Sequence, residues 1–188
     1  DAATARAQLG VPQLRSGSVV AGWLARVVRV KRPDRLVGAA LRTPEVEYLV
    51  GGDGVLREGL DQRAPANLHS LGWADPATFW SAVDLAVLTS DNEAMPYSLV
   101  EAGLAGLAAV TTNAGSAAEV VVDGVTGLVV DKDPGAVAEG VRALVADEPL
   151  RQRMGEAARA RALVEFSPER MLGEHRSAYE EALRRQHS

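Results

Sequence analysis

Short apolar runs alternate along this chain with longer segments of helical spacing, and few architectures accept that pattern. Val19-Val20-Ala21-Gly22-Trp23, Glu47-Tyr48-Leu49-Val50, Leu85-Ala86-Val87-Leu88, Ala108-Ala109-Val110-Thr111 and Gly127-Leu128-Val129-Val130 read as strands, with Leu68-His69-Ser70-Leu71 as a weaker one. Strands that are apolar on successive residues are buried on both faces, the condition of a parallel sheet covered by helices. The segments between them carry helix punctuation. Pro33 stands ahead of Leu36, Val37, Ala40 and Leu41, Asp75-Pro76 and Asp133-Pro134 pair a capping acid with a first-turn proline, and Pro96 opens Tyr97 to Ala105. Asp53 to Gln62 contains two glycines and predicts at most a short helix. Asp147 to Val164 and Ser167 to Arg184 predict two successive helices with no strand between them. The expected fold class is α/β: a doubly wound, Rossmann-like parallel sheet with extra C-terminal helices.

Residues 18–166 are expected to form that domain. Residues 1–17 read as a tail plus linker, and residues 167–188 as a terminal helix outside the sheet pattern. A length of 188 residues suits one domain. Only 4% of residues are aromatic against 47% hydrophobic, which favours helices on a Val/Leu-rich sheet over an aromatic-rich sandwich. A net charge of −5 would repel a phosphate backbone, so nucleic acid is not an expected partner. The absence of cysteine excludes disulfides and a thiolate metal site, in keeping with a cytoplasmic protein. No apolar run approaches the roughly 18 residues of a membrane span, and no signal peptide opens the chain. The chain begins at Asp1 without an initiator Met, and is read as part of a longer protein.

Ligands of open α/β sheets sit outside the carboxyl ends of the strands, so the strand–helix junctions are where chemistry is sought. The first junction places Arg26, Arg29, Lys31 and Arg32 ahead of the helix begun by Pro33. Cations at a helix N-terminus suit a diphosphate, although the same run also fits a solvated basic loop. Gly51-Gly52-Asp53-Gly54 ends the second strand, and admits either close approach of a ligand or a plain tight turn. The fourth junction, Ser90 to Glu101, sets Glu93 on a loop before Pro96 and Glu101 in the helix beyond. Carboxylates are acceptors suited to the vicinal hydroxyls of a sugar or ribose; the plainer readings are a dipole-favoured acid and an exposed helix residue. At the fifth junction Gly115, Ser116 and Ala117 could present amides to a phosphate, and Ser116 with Glu119 matches a capping box. Asp131-Lys132-Asp133 is better explained as a helix start than as a metal motif. His69, His175 and His187 have no cysteine to join them, and no Ser-His-Asp pattern assembles locally.

Taken in order, these junctions resemble the C-terminal, donor-binding domain of the retaining GT-B glycosyltransferases, the glycosyltransferase group 1 family. Arg26 through Lys31 is similar to its Gly-Arg-x4-Lys element, with Ala25 in the glycine's place. Gly52-Asp53-Gly54 matches its Gly-x-Gly turn, and Leu71-Gly72-Trp73 its Leu-Gly strand end. Glu93-Ala94-Met95-Pro96 through Glu101-Ala102 is similar to its Glu-x7-Glu motif, with Ala94 for the usual glycine. Were φ positive at Ala94, the methyl would cost about 1 kcal/mol. Gly115 to Glu119 resembles the later Gly-Gly-x-x-Glu segment, with Ser116 for the second glycine, and Ala108 stands where the family has proline.

The resemblance implies that Arg26 and Lys31 hold the donor diphosphate, Glu93 the donor sugar and Glu101 the ribose. It places Gly52, Gly54 and the Met95, Pro96, Tyr97 and Ser98 segment beside the donor, and Leu71 and Trp73 at the base. The implied substrate is a nucleotide-diphosphate-sugar, UDP- or GDP-linked, with no metal and no other cofactor. The hexosyl group would pass to a glycan, lipid or small-molecule acceptor held by an N-terminal domain not represented here. Any peripheral membrane association would run through that domain, and the chain alone is expected to bind donor without transferring it. Two rivals are an epimerase of the same architecture, against which the Glu-x7-Glu element speaks, and a non-catalytic interaction module.

Overall fold

A computed structural model describes residues 1–11, 14, 15 and 17–186. Six parallel strands, β1 (Val20–Leu24), β2 (Glu47–Gly51), β3 (Leu68–Gly72), β4 (Leu85–Leu88), β5 (Ala109–Thr112) and β6 (Gly127–Val130), form one sheet in the order β3-β2-β1-β4-β5-β6. Helices fill the five crossovers, α2 (Pro33–Ala40), α3 (Arg57–Asp61), α4 (Pro76–Ser81), α5 (Tyr97–Leu104) and α6 (Ala117–Val120), and α7 (Pro134–Ala146) follows β6. Two longer helices follow, α8 (Glu148–Glu165) and α9 (Pro168–Gln186). This is the expected doubly wound α/β fold, with strand boundaries displaced by a residue at β1 and β5.

The strands are apolar on successive residues because alternate side chains enter two different cores. Ala21, Trp23, Tyr48, Val50, Leu85 and Val87 face the side covered by Leu36 of α2 and by Val141 and Leu144 of α7. Val20, Leu49, Ala86 and Leu88 face the opposite side, with Phe79 and Trp80 of α4 and Leu99 and Ala102 of α5. The two Asp-Pro caps form as the sequence indicates. Asp75 accepts from the Thr78 amide, and Asp133 from the amides of Gly135 and Ala136, so the second acid of Asp131-Lys132-Asp133 is a helix cap.

Two local expectations are corrected. The opening residues are not a bare tail: α1 (Ala2–Gln8) is capped by Asp1, buries Ala5, and sends Arg6 to the Ala82 carbonyl at 2.7 Å and to Asp84 at 3.1 Å. Its single small buried residue gives too little apolar signal to be seen in the sequence. The Ser116–Glu119 capping box does not form. Ser116 has φ −76° and ψ 10° and makes no side-chain cap bond, whereas a capping side chain needs an extended backbone. Among the described residues His175 bonds its own helix, through Met171 O at 2.8 Å, and His187 lies outside the described residues. α9 presents Met171, Leu172 and Tyr179 to solvent.

Candidate donor site

The strand order reverses direction between β1 and β4, which run side by side while their connections leave to opposite sides. A crevice opens at the carboxyl ends of such a pair, and the loops leaving β1 and β4 therefore meet there. The β1 loop is fixed by its neighbour from β2. Ala25 donates its amide to Gly51 O at 3.0 Å, Val27 to Asp53 O at 2.9 Å, and Leu56 returns a bond to Val27 O at 3.0 Å. Gly52 has φ 122°, and a β-carbon on it would overlap the Ala25 carbonyl oxygen; one on Gly54 would overlap that of Val27. These glycines are thus required by backbone packing against the β1 loop, a more specific reason than the ligand approach expected of them.

After a 3-10 turn at Arg29–Lys31, Arg32 adopts φ 52° and leads into α2. It is the one non-glycine residue with positive φ among those described, so Ala94 bears no penalty of that kind. Lys31 reaches across the crevice. Its Nζ lies 2.6 Å from Oε1 and 2.8 Å from Oε2 of Glu93, whose Oε1 also accepts from Ser90 Oγ at 2.5 Å. The two side chains are 17% and 6% exposed, so this ion pair is largely withdrawn from water. Gly115 packs where a β-carbon would overlap Glu93 O, and that oxygen accepts the Ser116 amide at 2.9 Å.

A brace not singled out in the sequence holds the two loops in register. Arg35 of α2 is only 2% exposed; it donates to Thr89 O and, at 2.8 Å, to Asp91 Oδ1. Arg32 reaches the same carboxylate at 3.1 and 3.2 Å. Burial pushes the Asp91 pKa up, but the hydrogen bonds from Arg35 and Arg32 outweigh it and hold the group below the ordinary aspartate range. Thr89 Oγ1 donates to Lys31 O at 2.9 Å and accepts from Trp23 Nε1 at 2.9 Å, while the Asp91 amide donates to Val30 O at 2.8 Å. The sequence signal for this brace is the cation Arg35 amid the apolar positions of α2.

The other candidates are spread around the rim. Arg26 is on the β1 loop with its side chain in solvent. Glu101, half-buried in α5, does not join the Lys31–Glu93 pair; its partner is Trp80 Nε1 at 3.3 Å. Pro96 is buried at the cap of α5 and Ser98 half-buried in its first turn, whereas Met95 and Tyr97 are exposed. Leu71 and Trp73 sit at the end of β3, with Trp73 80% exposed, next to the Gly52 loop through a Gly52 N to Gly72 O bond of 2.6 Å. The fold thus joins Lys31 to Glu93 directly, and leaves Arg26, Glu101 and Trp73 as separate points around the same sheet end.

This chain resembles proteins of known activity over most of its length. The sequence profile of the glycosyl transferases group 1 family matches residues 7–161. The lipopolysaccharide core biosynthesis glycosyltransferase LpsE of Rhizobium meliloti (strain 1021) is 30% identical over 171 residues, 87% of this chain and 49% of that protein. The D-inositol 3-phosphate glycosyltransferase of Mycobacterium sp. (strain KMS) is 34% identical over 170 residues, 81% of this chain and 37% of that protein. The structure of Anabaena Alr3699/HepE in complex with UDP-glucose superposes with a TM-score of 0.82 at 25% identity, covering 94% of this chain and 52% of that one. The chain thus spans about half or less of the length of these three relatives. With the sheet order, the Lys31–Glu93 pair where the β1 and β4 loops meet and these matches in agreement, the chain belongs to the group 1 glycosyl transferase family.

Proposed function

We propose that this chain is the donor-binding half of a retaining glycosyltransferase, which takes a nucleotide-diphosphate-sugar, UDP- or GDP-linked, and passes its hexosyl group to a glycan, lipid or small-molecule acceptor. The observation that carries this reading is the Lys31–Glu93 pair at the sheet's switch point. An ammonium held by a carboxylate is a ready phosphate ligand: an incoming diphosphate offers it several acceptors, and releases Glu93 to accept from sugar hydroxyls. Arg26, already in solvent, supplies a second cation without breaking any bond. Both would stabilise charge developing on the departing diphosphate, which is where preorganised cations accelerate such a step.

In this reading Glu101 takes the ribose hydroxyls, the Met95 to Ser98 segment lies beside the sugar and phosphates, and Leu71 and Trp73 border the base. The acceptor oxygen attacks the anomeric carbon on the face from which the diphosphate leaves, and its proton passes to a donor phosphate oxygen. The acceptor is held by a further domain, no metal takes part, and the reaction is cytoplasmic. The Anabaena relative's complex with UDP-glucose supports a nucleotide-sugar donor.

Calorimetric titration of the 188-residue chain with UDP, GDP and ADP in EDTA tests the reading. At least one diphosphate is expected to bind, and to lose affinity when Arg26 and Lys31 are both replaced by Ala. Flat heats for all three nucleotides would remove the proposal, and an affinity indifferent to the double substitution would leave only an interaction module.

A further inference from the structure

Resting on the assignment of Glu101 to the ribose, we infer that Trp80 is a positioning residue for the donor: its indole N–H fixes the Glu101 carboxylate and so sets the preference for ribo- over deoxyribonucleotides. Trp80 is 3% exposed in α4. An indole N–H can only donate, and one buried without an acceptor is costly, so the bond from Trp80 Nε1 to Glu101 Oε2 at 3.3 Å satisfies a fixed demand of the core. The reciprocal effect falls on Glu101. A glutamate on a helix surface has several rotatable bonds, and ordering them on binding costs affinity. With Oε2 tied to the indole, that ordering is made in advance, and Oε1 remains for a hydroxyl pair.

The indole is itself held from several sides. Asp75 caps α4 through the Thr78 amide at 2.9 Å and the Thr78 hydroxyl at 2.8 Å. Phe79 meets Trp80 edge to face, with ring centroids 5.1 Å apart and planes at 86°. Gly22 of β1 lets α4 sit close: a β-carbon there would stand 2.9 Å from both Phe79 and Val83. Strand, helix cap and ring pair therefore place one N–H opposite one carboxylate on the adjacent helix.

Trp80→Phe keeps an aromatic ring in the core and removes the donor. The measurement is the ratio of dissociation constants for UDP and 2′-deoxy-UDP, and for GDP and 2′-deoxy-GDP, on the 188-residue chain and its variants. Wild type is expected to prefer the ribonucleotide by about tenfold or more, the scale of a hydrogen bond to a charged group. Trp80→Phe should lower that preference several-fold by weakening the ribonucleotide alone, and Glu101→Gln should lower it as well. An unchanged preference in Trp80→Phe, or an equal loss for both sugars, overturns the inference and leaves Trp80 a core residue. A wild type that binds both sugars equally overturns the ribose role of Glu101, and the inference falls with it; absence of all binding overturns the donor-site proposal itself.

Should Trp80→Phe fail to fold, the wild-type indole N–H resonances give a second reading, with that of Trp80 identified by its shift in Glu101→Gln. The Trp80 signal should move further with UDP or GDP than with the 2′-deoxy form. The Trp23 signal, bonded to Thr89, should not discriminate. Equal movement of the Trp80 signal with both sugars overturns the inference.

Discussion

Lys31 chelates Glu93 between the loops that leave β1 and β4, its ammonium 2.6 and 2.8 Å from the two carboxylate oxygens. The pair is at once a structural tie and the proposed donor grip, and the two roles make separable predictions. Removing one partner of a buried pair costs about 3–5 kcal/mol because the other is left charged and unpaired. Lys31 is partly solvated, so Lys31→Ala should cost about 2–3 kcal/mol in urea denaturation. Adding Glu93→Gln, which is neutral and keeps an acceptor for Ser90, should recover at least half of that loss. A double variant no more stable than Lys31→Ala would show that the unpaired carboxylate is not the cause.

Arg26 makes the opposite prediction. With its side chain in solvent, Arg26→Ala should leave stability within about 0.5 kcal/mol of wild type. Diphosphate affinity should nevertheless fall roughly tenfold, as expected for a charge-assisted contact. Calorimetry and thermal denaturation on the same preparation check both halves.

Gly52→Ala should be strongly destabilising, since its methyl would collide with the Ala25 carbonyl oxygen at φ 122°. A loss of about 3 kcal/mol or more is expected from strain and collision together. Gly124→Ala is the control: φ is 72° there, with nothing within 4 Å of the added carbon, so only the conformational cost of about 1 kcal/mol applies. Equal losses at the two sites would refute the packing role assigned to Gly52.

Acid stability should depend on Glu47, which is 4% exposed beneath Arg15 and 2.7 Å from His69. Burial pushes its pKa up, but the hydrogen bonds from His69 and Arg15 prevail and hold it below the ordinary glutamate range. A folded-state pKa below the unfolded one stabilises the protein at neutral pH, and that contribution is lost as pH falls from the ordinary glutamate pKa through the folded value. The difference in unfolding free energy between wild type and Glu47→Gln should therefore shrink as pH is lowered through that window. A difference that stays constant would show that Glu47 does not carry the effect.

The parallel sheet was legible in the sequence because its evidence is local. Doubly buried strands require apolar residues in succession, and Asp75-Pro76 and Asp133-Pro134 signal helix starts through bonds made within three residues. The identities of Lys31, Glu93 and Glu101 as residues at strand–helix junctions were legible for the same reason. Their partners were not. Lys31 and Glu93 are 62 positions apart, Arg35 and Asp91 56, and Trp80 and Glu101 21. α1 carries a local cap in Asp1 but no apolar face to mark it, and the packing duty of Gly52 leaves no local pattern.

What the chain's order of residues determined, then, was which groups stand at the carboxyl ends of the strands. Only the folded sheet decided which of them touch, because the strand order β3-β2-β1-β4-β5-β6 makes neighbours of β1 and β4. Strand pairing is a long-range contact, and from it follow the loop encounter, the burial of Lys31 against Glu93 and the seat of Glu101 at the indole N–H of Trp80.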